Sequence, residues 1–251
     1  MATLEFALES ATGQRADNQD NVLQFESPFG SVFVLADGMG GHQGGATASA
    51  LATSKCEEAM HSLPQSTAPD AALVEAIQAA NRAIFEQSTN GDKTLRHMGS
   101  TIVVLLVSET ADGLLAIGAH VGDSRLYFVR GERLFRLTED HTMIQQLIKN
   151  STLTEKQAQD HPQAGVLTRA LGHKAEIQVD LTSWMLLKPG DTFLLCSDGL
   201  SGYVDDSAIL QILSQREASA NLARALLDLA FASGSEDNVS VMVVRVVPWF
   251  D

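Results

Sequence analysis

The chain has 251 residues, 45% of them hydrophobic, enough to bury a full core and too many for a disordered segment. Its formal charge of −14 argues against nucleic acid and anionic membranes as partners, because both need basic patches; it suits a protein that gathers carboxylates for hard cations. Met1 to Ser10 has neither the basic start nor the apolar stretch of a secretory leader, and the densest apolar run, Val239 to Val247, contains Arg245 and is far too short to span a bilayer.

In chain order, the polar cluster Arg15-Ala-Asp17-Asn18-Gln19-Asp20-Asn21 is flanked by Phe6 and Leu8 on one side and Val22, Leu23 and Phe25 on the other, as a loop between two strands would be. Ser27-Pro28-Phe29-Gly30 is a turn into the next strand. That strand, Val32 to Ala36, is short, continuous and rich in β-branched residues, and it stops on Asp37. Five glycines then fall between Gly38 and Gly45, allowing sharp turns and close approach of backbone carbonyls to a ligand; read alone, Asp-Gly is equally a plain turn. A helix is expected from Ala46 to about Ser62, and a second one follows, with Leu73, Ile77, Ala80 and Ile84 on one face and Asp70 as its N-cap.

Thr101–Val107 is an apolar strand, turned by Asp112-Gly113 into Leu114–Val121. Gly122-Asp123-Ser124 leads into Arg125–Arg130, and Gly131-Glu132 turns the chain into Arg133–Leu137. Thr142-x-x-Gln145 and Thr154-x-x-Gln157 fit the capping box and predict two short helices, split at Asn150-Ser151, in a polar insertion that ends near Gly165. Thr192–Cys196 is another apolar strand, ending on Ser197-Asp198-Gly199. Leu222, Leu226 and Leu229 mark a helix face, and Asp237-Asn238 precedes the last strand. Cys56 and Cys196, each in an apolar context, read as buried free thiols of a reducing cytoplasm. His141 is expected to be a structural hydrogen-bonder, His97 and His120 strand-edge or core residues, and His61, His161 and His173 surface residues.

Asp37, Asp123 and Asp198 each end an apolar strand beside a glycine, and Asp237 stands before one. If these rims converge, the carboxylates repel one another unless cations sit between them. Oxygen donors without cysteine or histidine point to Mg²⁺ or Mn²⁺, and two such ions can clamp a transferring phosphoryl group, for which Arg15 supplies a planar fork.

Arg15-x-x-Asn-Gln-Asp20, Asp37-Gly-Met-Gly-Gly-His42, Gly122-Asp-Ser-Arg125, Thr168-Arg-Ala-Leu-Gly172, Ser197-Asp-Gly199 and Asp237-Asn-Val-Ser240 resemble, in order and spacing, the metal-dependent protein phosphatases of type 2C, closest to the bacterial serine/threonine branch. The match runs from about Thr12 to Val247. It implies an α+β fold, a four-layer α-β-β-α sandwich of two antiparallel sheets flanked by helices, in one domain over 1–251 with a flap at about 142–165. It also implies hydrolysis of phosphoserine and phosphothreonine on proteins by a water bridging two Mn²⁺ or Mg²⁺ ions, with a third, weaker ion. Asp37 would bridge both metals, Asp198 and Asp237 complete one shell, the Gly38 carbonyl serve the other, and Asp20 orient its waters. Asp123 would share the third ion with Asp198, although the residues alone make Gly122-Asp123 a tight turn.

Arg15, Asp37 and Asp198 are thus the expected catalytic residues, with Arg15 and His42 binding substrate. Gln19 stands where some relatives have glutamate. Met39 stands where eukaryotic relatives have a proton-donating histidine, which leaves the general acid between His42 and a metal-bound water. The expected setting is the cytoplasm, as a monomer, with phosphoproteins as substrates and an opposing serine/threonine kinase. Of two rival readings, a pseudophosphatase is opposed by the four aspartates and Arg15, and a phosphatase of a partner-switching anti-sigma system by the lack of attached signalling domains.

Overall fold

The computed structural model describes residues 2–90, 92–154, 161, 163 and 165–248, with Gly41 and His42 described by backbone only. Strand β1 (Ala2–Ala11) is followed by β2 (Asp20–Ser27) and β3 (Gly30–Met39), then by helices α1 (Gly41–Ser62) and α2 (Pro69–Asn90). Next come β4 (Gly99–Ser100), β5 (Ile102–Thr110), β6 (Gly113–Val121), β7 (Arg125–Arg130) and β8 (Arg133–Arg136). Helix α3 (Met143–Lys149) precedes β9 (Asp180–Leu181), β10 (Met185–Leu186) and β11 (Thr192–Cys196). The chain ends with α4 (Asp198–Ser201), α5 (Asp206–Leu213), α6 (Ser219–Ala232) and β12 (Val239–Pro248).

Among the described residues the strands form two antiparallel sheets. One has the order β1-β12-β11-β7-β8; the other runs β10-β6-β5-β3-β2, with β4 on β3 and β9 on β6. Burial along β3 alternates in destination. Val32, Val34 and Ala36 join a cluster with Cys56 and Met60 of α1 and Leu73 and Ile77 of α2. Phe33 and Leu35 turn the other way and meet Phe193, Leu195, Met242 and Val244 of the opposite sheet. The far face of that sheet, with Leu194, Cys196, Val241 and Val243, is covered by Leu200, Ile209, Leu222 and Leu226. This is the expected α-β-β-α layering, and it explains the continuous apolar strands: a sheet covered on both faces has no polar side. Each large side chain buried in these layers contributes about 1.5–3 kcal/mol.

Several local expectations change. Helix α1 begins at Gly41, not near Ala46, so much of the glycine-rich stretch is helical. Glycine costs a helix about 1 kcal/mol relative to alanine, but packing decides here. A Cβ on Gly45 would lie 2.1 Å from Gln19 Oε1 and 2.8 Å from the Gly38 carbonyl oxygen, so at this position α1 lies too close to the end of β3 for a side chain. Strand β3 runs past Asp37 to Met39 because β4 pairs with its last residues. Helix α2 starts at Pro69, which puts Asp70 in its first turn and not at its cap. In α6 the buried face is Leu222, Ala223, Leu226, Leu227 and Ala230, with Leu229 half-buried at its margin. His97 is an exposed residue with φ +65°, outside any strand or core.

Candidate metal centre

Asp20 opens β2 directly across from Asp37 on β3. Asp123 sits on the turn between β6 and β7, where the chain passes from one sheet to the other. Asp198 follows β11 and Asp237 precedes β12, and these two strands are neighbours. The architecture therefore brings the five aspartates to one end of the sandwich. Burial, followed by the charges of Asp20, Asp198, Asp123 and Asp237, holds the Asp37 carboxyl well above the usual range. Burial pushes Asp123 up to about 7, with the charge of Asp198 adding to it, and burial with the charge of Asp237 raises Asp198. Asp20 rises to about 6, again mainly through burial.

The backbone around these groups is fixed by side chains. The Asp37 N–H donates to Thr101 Oγ1 (3.0 Å), its carbonyl accepts from Ser100 Oγ (2.9 Å) and Thr101 N (2.8 Å), and Thr101 Oγ1 meets Ser124 Oγ at 2.7 Å beside Asp123. Ser197 Oγ donates to Asp20 Oδ2 (2.8 Å). Asn238 ties the loop between β1 and β2 to the start of β12 at three points: its Oδ1 accepts from Gln19 N, and its Nδ2 donates to the carbonyls of Thr12 and Asp17. Gly199 must be glycine, because a Cβ there would lie 1.9 Å from the Asn238 carbonyl oxygen. From the sequence Ser197 and Asn238 stand in motifs without a role of their own, and Thr101 stands in none. Ser197 and Asn238 had a signal, being next to candidate aspartates; Thr101 had none.

The Asp20 Oδ1 atom is buried without a protein partner. An orphaned carboxylate oxygen among four further carboxylates is costly unless a cation faces it. The donors are all oxygens on short strand ends, a set that fits hard divalent ions better than zinc.

A cavity of about 450 Å³ opens over this end, lined among others by Arg15, Asp37, Gly38, Met39 and Asp237. Arg15 is 60% exposed and donates from Nη2 to Asp237 Oδ2 at 2.8 Å. A larger groove, about 950 Å³, meets the first at Asp237. Asp123 and Asp198 line its inner end and Ile144, Gln145 and Ile148 of α3 its outer side. The expected helix α3 is present, with Thr142 Oγ1 accepting from Gln145 N at 3.2 Å. The expected second helix of that insertion falls on residues 155–160, and the side chain of His42 likewise lies outside the described residues.

A second group of ligand-type side chains, His120, His141 and Asp180, has donor atoms within 4.8 Å of one another. Hydrogen bonding already occupies both nitrogens of His141 and Oδ2 of Asp180, while His120 Nδ1 is buried without a partner. His141 Nδ1 accepts from the Gly122 N–H (3.0 Å), so its proton is on Nε2, which donates to Asp180 Oδ2 (3.1 Å). His120 Nε2 donates to the Glu139 carbonyl (2.9 Å), and its ring stacks on His141 at 4.6 Å. Burial pushes His141 down to about 4 and lowers His120, so both rings are neutral.

The family model described as protein phosphatase 2C matches residues 9–230. The protein phosphatase PhpP of Streptococcus pneumoniae is 34% identical over 247 residues, covering 97% of this chain and 98% of that protein. The S. agalactiae serine/threonine phosphatase structure superposes with a TM-score of 0.88 at 33% identity, covering 98% of this chain and 100% of that one. The catalytic domain of the serine/threonine protein phosphatase PstP, solved in complex with two manganese ions, gives a TM-score of 0.83 at 34% identity, covering 99% of this chain and 100% of that one.

Proposed function

The chain belongs to the protein phosphatase 2C family and is a protein serine/threonine phosphatase, and from that premise we propose that it removes phosphate from phosphoserine and phosphothreonine through a centre for two Mn²⁺ or Mg²⁺ ions held by Asp37, Asp198, Asp237 and the Gly38 carbonyl. The observation that carries this reading is the cluster of five aspartates, four of them raised by burial and by their neighbours' charges, with one buried Asp20 oxygen unpartnered inside it. Bound there, two divalent ions would lower the pKa of a water they share and offset the charge of the phosphoryl group. Asp20, anchored by Ser197, would orient water at the centre. Arg15, at the mouth of the cavity, would bind and orient the phosphate with its forked donors. Met39 lines the same cavity and has no proton to give, so the leaving serine or threonine oxygen would take its proton from water or from His42. Asp123 would share a third, weaker ion with Asp198.

The insertion at about 142–165 would act as a flap over the groove, within a single domain. Cys56 and Cys196 are buried free thiols, as they would be in a reducing compartment, and the setting of this reading is the cytoplasm, with the protein acting as a monomer opposite a serine/threonine kinase. No described helix is long and apolar enough to cross a membrane. The test is turnover of p-nitrophenyl phosphate and of a phosphothreonine peptide, with Mn²⁺ and after exhaustive EDTA. Activity is expected to vanish with chelation and return with Mn²⁺, and Asp37→Asn and Asp198→Asn should each abolish it. Turnover surviving EDTA sinks the two-metal reading; near-normal turnover in either variant sinks the ligand assignment.

A further inference from the structure

The turn that carries Asp123 is held from two sides. On one side Gly122, at φ +106°, lies so close to Thr101 that a Cβ would come within 2.6 Å of the threonine Cβ. On the other side stands His141, 7% exposed. Its Nδ1 accepts the Gly122 N–H, and its own N–H donates to the Gly122 carbonyl at 3.0 Å, so both polar groups of the Gly122 backbone end on one residue. The ring is fixed in turn. Nε2 donates to Asp180 Oδ2, and Arg169 donates to Asp180 Oδ1 at 2.6 Å. Arg169 belongs to the Thr168-to-Gly172 motif, for which the proposed chemistry has no use, and the neighbouring Thr168 N–H donates to the His141 carbonyl at 2.7 Å.

We propose that His141 is a positioning residue for Asp123: by holding both backbone groups of Gly122, with its ring fixed by Asp180 and Arg169, it sets the direction in which the Asp123 carboxylate enters the centre. This rests on the reading that Asp123 belongs to that centre. Histidine suits the task because a ring nitrogen can accept from the buried Gly122 N–H while the opposite nitrogen is tethered. A side chain without an acceptor at the Nδ1 position would leave that N–H unpaired and the turn free to shift.

Two substitutions separate the parts. The amide oxygen of asparagine falls where Nδ1 lies, whereas the amide of glutamine reaches the Nε2 position. With a phosphopeptide and saturating Mn²⁺, His141→Gln is expected to lower kcat about tenfold while KM stays within about threefold, and His141→Asn to keep kcat within about threefold of the parent. Asp123→Asn should lower kcat at least as much as His141→Gln. The double variant Asp123→Asn/His141→Gln should then be no slower than Asp123→Asn alone, since residues acting as one group do not add.

Parent-like kcat in His141→Gln overturns the inference, as does equal loss in the glutamine and asparagine variants or multiplying losses in the double variant. Parent-like kcat in Asp123→Asn overturns the underlying reading of Asp123 instead, so the two failures differ. Should His141→Gln not fold, Asp180→Asn takes its place. It loosens the same tether that His141→Asn loses, at a side chain that is 34% exposed; kcat is expected to fall about two- to threefold, no more than in His141→Asn and without adding to Asp123→Asn, and an unchanged kcat overturns the inference.

Discussion

Arg15 has two roles open to it, and its position decides how they can be told apart. Its guanidinium spends one donor on Asp237 and is otherwise at the cavity mouth, more than half exposed. An exposed ion pair contributes about 0–1 kcal/mol, so Arg15 adds little to stability. A bidentate grip on phosphate, by contrast, needs the planar fork. Arg15→Ala should therefore lower kcat/KM on a phosphopeptide about tenfold or more, about 1.4 kcal/mol, with Mn²⁺ affinity by calorimetry little changed. Lysine should not restore it. Loss of Mn²⁺ affinity with phosphate inhibition intact would make Arg15 a partner of Asp237 and nothing more. At this scale the carboxylates were legible because each marks the end of an apolar run. The hydroxyl of Thr101, which holds the Asp37 backbone, was not: a threonine opening an apolar strand has no pattern that sets it apart.

Among the elements, the long strands were readable as continuous apolar runs and α2 from its period of 3.6, and the burial of alternate residues of β3 in two different clusters is the physical reason such a run has no polar side. The start of α1 was not readable, since nothing local favours a glycine helix and its reason is the approach of Gln19 and Gly38 from elsewhere in the chain. The two-residue strands β4, β9 and β10 are too short to show a period.

Helix α3 is the element whose purpose is most open to test. A seven-residue helix is marginal alone; this one has Thr142 as its cap, a Met143–Val166 backbone bond at its stem, and Ile144 as its buried residue. Ile144, Gln145 and Ile148 line the groove that Asp123 and Asp198 also line. Replacing 144–162 with a short Gly/Ser linker should cut phosphopeptide turnover about tenfold while p-nitrophenyl phosphate turnover stays within about threefold, because the small substrate needs no groove. Equal losses on both would make the segment a support of the fold.

At the scale of the whole molecule, the formal charge of −14 and the carboxylate cluster make stability a question of pH and cations. Asp20 and Asp123 are raised to about 6 and about 7, and Asp37 and Asp198 are raised with them. A carboxyl raised on folding binds its proton more tightly in the native state. Its stabilising share is present below the unfolded value, near 4, and is lost as pH rises through the folded value. His120 and His141, lowered on folding, act in the opposite sense: their share is present above about 6.5 and is lost as pH falls. Comparing the protein with and without Mn²⁺ cancels the histidine share and isolates the centre. Cations that displace those protons stabilise most where the bare carboxylates are ionised and repel. The rise in melting temperature on adding Mn²⁺ should therefore be small near pH 5 and grow steadily to about pH 8, while the metal-free protein loses stability between about pH 6 and pH 7.5. Asp37→Asn removes the charge that the other four aspartates surround, and should flatten the metal-free profile and shrink the Mn²⁺ gain together. A gain independent of pH, or one that survives Asp37→Asn intact, would mean that Mn²⁺ binds elsewhere on this acidic surface.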